Sequence, residues 1–381
     1  MDPRIRDHAD VLVDHSTDVE AGDNVVISAP PAAEDLVLAL SQALAECGAY
    51  PLHVSGREDR TRATFLSAVD PDDLQTPAHE LALAEAADVY IQVRAHDNVA
   101  ELSDVSPETN AAHRQTRQPV QEEILSGRWS LTQFPAPGSA QLAEMSTEAY
   151  ERFVWDAVLK DWDAVREHQA QMVDVLDPAD EVRIVSGDGT DLTMSLSGMR
   201  TINDHGENNL PGGEVFTAPV PESVEGSVHF DLPLYHQGRE IQDVRLTFED
   251  GRVVDHSAAK NEAMLTQILD TDEGARYLGE LGIGMNRDID RFTYNMLFDE
   301  KMGDTVHLAV GRAYPECVLE GEPNASAVHV DMIVDMSEDS FIEVDGEVVQ
   351  RNGTFVFEDG FEGKQSRYFL VQLLRASGAS E

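Results

Sequence analysis

Cysteine and lysine are nearly missing from this sequence, and apolar residues never run far enough to cross a bilayer. Only Cys47 and Cys317 occur, too few for a disulfide framework and without the paired spacing of a zinc knuckle. Any metal must then be held by carboxylate oxygen and imidazole nitrogen. The apolar runs fall short of the roughly eighteen residues a spanning helix needs, so no membrane association is expected. Met1 to Ser16 carry neither a basic start nor an apolar run of signal-peptide type, and a cytoplasmic protein is expected. The first strand-to-helix turn reads Ala29-Pro30-Pro31-Ala32, without the glycine fingerprint or the lysine of a nucleotide site. There is also no His-Glu-x-x-His helix and no Gly-x-Ser-x-Gly elbow, and nothing local activates either cysteine as a nucleophile.

What is abundant is acid. Aspartate and glutamate number 72 against 27 lysines and arginines, for a formal charge of −45. Lysine is confined to Lys160, Lys260, Lys301 and Lys364. The charge is dispersed along the chain and accompanied by periodic apolar residues, which argues against disorder. In molar salt the screening length shrinks to about 3 Å and the self-repulsion is removed, so the composition suits a halophile. The same surface repels phosphate backbones, and nucleic acid is not an expected partner. With 381 residues, two domains are the natural expectation.

The first half alternates short apolar runs with helical spacing: Val25 to Ser28, a helix over Ala33 to Cys47 stopped by Gly48, then Pro51 to Ser55 and Asp88 to Val93. This rhythm predicts a parallel sheet flanked by helices. Met145 to Leu176 reads as one long helix with Phe153, Trp155, Leu159 and Trp162 as a packing face, ended by Pro178. The predicted boundary follows: an α/β N-terminal domain over 1–178 and a β-rich α+β catalytic domain over 179–381. In the second half, strands are predicted over Val182–Val185, Asp191–Leu196, Ser227–Leu232, Val244–Phe248 and Val253–His256, with one helix near Asn261 to Leu281.

Four segments of that half concentrate acids and histidines. In Asn209-Leu210-Pro211-Gly212-Gly213-Glu214, the carboxylate stands at the exit of a constrained turn. Glu280 lies in a Gly-rich turn among apolar neighbours, where a carboxylate is costly unless a cation or donors satisfy it. In Thr305–Tyr314, read as a strand, Val306, Leu308 and Val310 face the core and His307 shares the other side with Ala309 and Gly311. On the next, His329 and Asp331 share a face and can converge on one cation. Taken alone, the Glu214 segment is equally an ordinary loop, and the His307 segment reads first as a hydrogen-bonded histidine on a half-buried strand. Together the five oxygen and nitrogen ligands exceed the three protein ligands of a single catalytic zinc, and they suit a pair of divalent ions bridged by a carboxylate.

The segments around Glu214, Glu280, His307 with Tyr314, and His329 with Asp331 resemble those of the thermophilic metalloaminopeptidase family, aminopeptidases T and S among its members. Asp161-Trp162-Asp163 and Gly189-Thr190-Asp191-Leu192 extend the likeness over most of the chain, which would be a halophilic archaeal member. The resemblance implies a homodimeric exopeptidase acting on peptides with two metal ions, Zn, Co or Mn. It implies Glu214, Glu280, His307, His329 and Asp331 as ligands and Tyr314 as the tyrosine beside the metals. Glu300 falls in a family-like stretch as a ligand or a neighbour of one, although its spacing to His307 departs from the family pattern. Glu280 or Asp331 is the expected bridge, and the general base is open between the glutamates. The alternatives are another dinuclear hydrolase, a dipeptidase or amidohydrolase, and a non-catalytic metal- or peptide-binding relative.

Overall fold

The computed structural model describes residues 2–55, 59–236 and 238–362. The end of the expected second domain, with Lys364, lies outside them. The chain forms an α/β region with a parallel sheet and a β-rich region. Two compact units result: Met1–Trp162 with Gly206–Gly212, and Asp163–His205 with Gly213–Glu381.

In the first unit the sheet order is Tyr50–Val54, Asn24–Ser28, Val89–Arg94, Arg128–Gln133 and Asn209–Leu210, all parallel. Asn24–Ser28 is buried along its length after the first residue, as a strand inside a layered sheet must be. The helix Glu34–Cys47 buries Leu36, Val37, Leu40 and Leu44 at helical spacing. Each such leucine contributes roughly 1.5–3 kcal/mol by leaving water. Gly48, at φ 85°, supplies the left-handed residue that ends the helix. The strand Arg128–Gln133 has no apolar signature, because its buried positions are Ser130, Thr132 and Gln133. Thr132 satisfies itself by donating to the Leu210 carbonyl at 2.8 Å.

The predicted long helix is two helices, Thr147–Val158 and Trp162–Leu176. Leu159 leaves helical geometry at φ −88°, ψ 83°, and Ser146 caps the start of the first helix. The compact units also divide sixteen residues before the expected boundary at 178, between Trp162 and Asp163. The reason is packing: Met172, Val175 and Leu176 of the second helix are buried in the core of the β-rich unit.

Among the described residues that unit holds two main antiparallel sheets, of eight and five strands, and a two-stranded ribbon of Leu234–His236 with Arg239–Ile241. The larger runs Arg252–Ser257, Val244–Glu249, Glu225–Phe230, Thr190–Ser195, Glu181–Ser186, Ser340–Val344, Glu347–Arg351, Thr354–Phe355. The smaller runs His329–Asp335, Thr305–Gly311, Leu278–Gly284, Glu214–Thr217, Ile202–Asp204. One core joins them: Ile184, Leu192, Phe230 and Leu246 with Leu281, Ile283, Val306, Leu308, Val330 and Met332. The helix predicted over Asn261 to Leu281 is only Glu262–Leu269. Asp272 breaks it, its carboxylate accepting the Ala275 and Ala327 amides at 2.9 and 2.7 Å. Glu280 therefore stands within a strand, not a turn. No described helix is long and apolar enough to cross a membrane.

Candidate metal centre

The smaller sheet has one face on the core and one that carries the chemistry. Alternation sends Val215, Leu281, Val306, Leu308, Val330 and Met332 inward, which leaves Glu214, Glu280, His307, His329 and Asp331 on the opposite face. Each of these five stands across from a residue with little or no side chain. Glu214 faces Gly284, His307 faces Gly282, Glu280 and Asp331 flank Ala309, and His329 faces Gly311. The requirement is steric at Gly282, where an added Cβ would lie 2.0 Å from Cε1 and Nε2 of His307.

The side chains converge in two groups that share one carboxylate. Glu214, Glu280 and His307 form the first and Glu280, His329 and Asp331 the second, with donor atoms within 4.8 Å in each. His307 Nε2 is 3.2 Å from Glu214 Oε2 and 3.1 Å from Glu280 Oε1. His329 Nε2 is 3.3 Å from Glu280 Oε2 and 3.4 Å from Asp331 Oδ1. The Nδ1–H of His329 donates to the Arg312 carbonyl at 2.7 Å, which orients the ring and turns Nε2 to the carboxylates. Glu214 Oε2, Glu280 Oε2 and Asp331 Oδ1 are buried without a well-aligned hydrogen bond. Orphaned carboxylate oxygens aimed at imidazole nitrogens fit the oxygen and nitrogen donors that a divalent cation takes.

Electrostatics divides the site. Burial pushes the Glu214 carboxyl up to about 8, since nearby Glu300 and Asp204 add to it and Lys301 only partly offsets it. Glu280 is as deeply buried, yet the imidazoles of His307 and His329 hold it below the usual carboxylate range. Burial resists charge on His307, but Glu214, Glu280 and Asp331 outweigh it and raise its imidazole to about 9. Against the same burial, Asp331 and Glu280 raise His329 well above its ordinary value. Asp331, despite burial, is drawn down to about 2 by His329.

Tyr314 lies against the second group, its ring centroid 5.1 Å from that of His329 and 5.6 Å from that of Phe216. Burial and then the charges of Glu280 and Asp331 push its hydroxyl far up, so it remains a proton donor. Glu300 belongs to neither group; its Oε1 is bound to Lys301.

Sequence reasoning missed Lys301, Asp204 and Gln169. Lys301 is fully buried, with Nζ 3.0 Å from Glu214 Oε1 and 3.8 Å from Asp204 Oδ2. Its rarity in so acidic a chain was the available signal. Gln169 is fully buried too, and its amide donates to the carbonyls of Asp204 and Glu214 at 3.0 and 2.7 Å, tying two strand ends together. A separate cavity of about 550 Å³, lined by His168, Arg287, Asp304 and Glu358 among others, contains none of the site residues.

The family profile described as thermophilic metalloprotease (M29) matches residues 1–361. Aminopeptidase 2 of Geobacillus stearothermophilus is 28% identical over 92% of this chain and 97% of its own. Aminopeptidase T of Thermus aquaticus is 30% identical over 89% of this chain and 93% of its own. The solved structure of wild-type AmpT from Thermus thermophilus superposes with a TM-score of 0.82 at 27% identity, covering 93% of this chain and 99% of that one. The chain belongs to the M29 thermophilic metalloprotease family and is a peptide hydrolase.

Proposed function

We propose that this protein is an aminopeptidase that releases single N-terminal residues from peptides with the help of two divalent cations. The observation that carries the reading is the pair of ligand groups sharing Glu280. Glu214, Glu280 and His307 would hold one ion, and Glu280, His329 and Asp331 the other, with Glu280 as the bridge. Charge supports the number two. The site gathers five carboxylates, those of Asp204, Glu214, Glu280, Glu300 and Asp331, and one ammonium, that of Lys301, which pairs with Asp204, Glu214 and Glu300. With both imidazoles neutral, as ligation requires, four negative charges remain, the charge of two divalent ions. Oxygen and imidazole donors accept Zn, Co or Mn.

Bound there, the ions supply Lewis acidity, which lowers the pKa of a water and polarises the scissile carbonyl. The protein's own residues do the rest. Glu280 and Asp331 enter the reaction already ionised, and the His329 ring is held by the Arg312 carbonyl. Tyr314, kept protonated, donates a hydrogen bond to the oxyanion that develops on the substrate. Glu300 serves as counter-ion to Lys301. The relatives named aminopeptidases support the exopeptidase assignment.

The setting belongs to the same proposal: a cytoplasmic homodimer from a halophilic archaeon, supported by the charge of −45 and by the family likeness. The test is release of free amino acid from leucine-p-nitroanilide and short peptides in concentrated KCl. Activity should vanish on chelation, return with Zn, Co or Mn, and stay absent in Glu280→Gln. A folded, metal-loaded protein inert on a broad peptide panel would sink the aminopeptidase reading.

A further inference from the structure

Lys301 has no role in the two ligand groups, yet it is the most deeply placed charge in the site, with no exposed surface. An ammonium is buried only where carboxylates compensate it. Here Glu214, Glu300 and Asp204 do so, and the three are not equivalent. Glu214 alone also belongs to a ligand group, and it divides its oxygens: Oε1 lies 3.0 Å from Lys301, while Oε2 points to His307 at 3.2 Å. The backbone of Lys301 is fixed as well, its carbonyl accepting the Asn286 amide at 3.0 Å and its own amide donating to Phe298 at 3.0 Å. Among the described residues the other ligand group, Glu280 with His329 and Asp331, makes no ion pair with the ammonium, whose charge reaches Asp331 only from farther off.

We propose that Lys301 is a positioning residue, a fixed internal cation that clamps one oxygen of Glu214 so that the other is presented to the Glu214–Glu280–His307 position. The inference rests on the two-metal reading and goes beyond it by making the two positions unequal. The position containing Glu214 depends on Lys301, and the position containing His329 and Asp331 does not. Removing a partner that orients a ligand typically weakens metal affinity about 10–100-fold. Lys301 acts through Glu214, so its effect should disappear once Glu214 can no longer serve as a charged ligand.

The experiment is titration of the metal-free protein with Co(II), followed by visible absorption and by metal content after dialysis. The parent should take up two ions. Lys301→Met should take up the first with parental affinity and the second about 10–100-fold more weakly. In the Glu214→Gln background, adding Lys301→Met should change neither affinity further, giving a non-additive cycle. Should Lys301→Met fail to fold by circular dichroism, Lys301→Gln keeps a donor without the charge and is expected to weaken the same position. Two parental affinities in the Lys301 variants, or equal weakening of both positions, would overturn the clamp while leaving the two-metal reading intact. A parent that takes up fewer than two ions would overturn that reading and the clamp together.

Discussion

Stripping the centre of metal and reloading it should move protons as well as ions. In the metal-free chain three ligand groups have raised pKa values. His307 is pushed up to about 9 and His329 well above its ordinary value, because neighbouring carboxylates outweigh burial. Glu214 is pushed up to about 8 chiefly by burial. Asp331, at about 2, and Glu280, below the usual range, are already ionised and contribute none. Since ligands bind metal deprotonated, loading both positions at pH 7 should release at least two protons, one from His329 and at least one from the interacting pair Glu214 and His307. The yield should shrink as pH passes 8 and then 9. Below pH 8 each proton steepens the apparent affinity about tenfold per pH unit.

The sign of the stability change follows from the same groups. In the metal-free protein these raised pKa values contribute stability that is lost as pH rises, between 4.5 and about 8 for Glu214 and between 6.5 and about 9 for His307. The metal-loaded protein, whose ligands carry no protons, should instead gain stability up to about pH 6.5, where the unfolded imidazoles lose theirs, and then stay level. Calorimetric titration in buffers of different ionisation enthalpy counts the protons, and melting curves with and without chelator give the two slopes. Release of fewer than one proton at pH 7, or parallel slopes, would refute the assignment of His307 and His329 as ligands.

Three further outcomes are expected. Gly282→Ala should displace the His307 ring, lowering metal content at that position and reducing kcat/KM by about 10–100-fold, measured alongside an unchanged fold by circular dichroism. Tyr314→Phe should reduce kcat by about 10²–10³ with both ions retained, and an unchanged kcat would remove the tyrosine from the mechanism. Asp299 is fully buried and raised by that burial to about 7, while its Oδ1 accepts from the amide and hydroxyl of Thr293. Its contribution is complete below pH 3.8 and lost as pH climbs to about 7, so Asp299→Asn should gain stability over the parent across that range, by at most about 1.4 kcal/mol per pH unit, then level off. Melting temperatures at pH 5 and pH 8 test this.

By itself the sequence determined what local periods can carry. The spacing of Leu36, Leu40 and Leu44 before Gly48 marks a helix, and the apolar run at Val25–Ser28 a buried strand. Alternation of Val306, Leu308 and Val310, and of Val330, Met332 and Val334, puts His307 on one strand face and His329 with Asp331 on another, because side chains on a strand repeat every second residue. Glycine misled the same reasoning at Glu280, where the small residues signal room for a neighbouring imidazole and not a turn. Tertiary structure alone decided which strands are neighbours and in what register, since pairing joins residues far apart in the chain. That register sets Gly282 against His307 and Gly284 against Glu214. It also returns Gly206–Gly212 to the parallel sheet of the first unit. Lys301 and Asp204, separated by almost a hundred positions, meet over Glu214 only once the sheet has formed. No period in the sequence encodes that meeting, because buried charge is stabilised by partners that only the folded chain assembles.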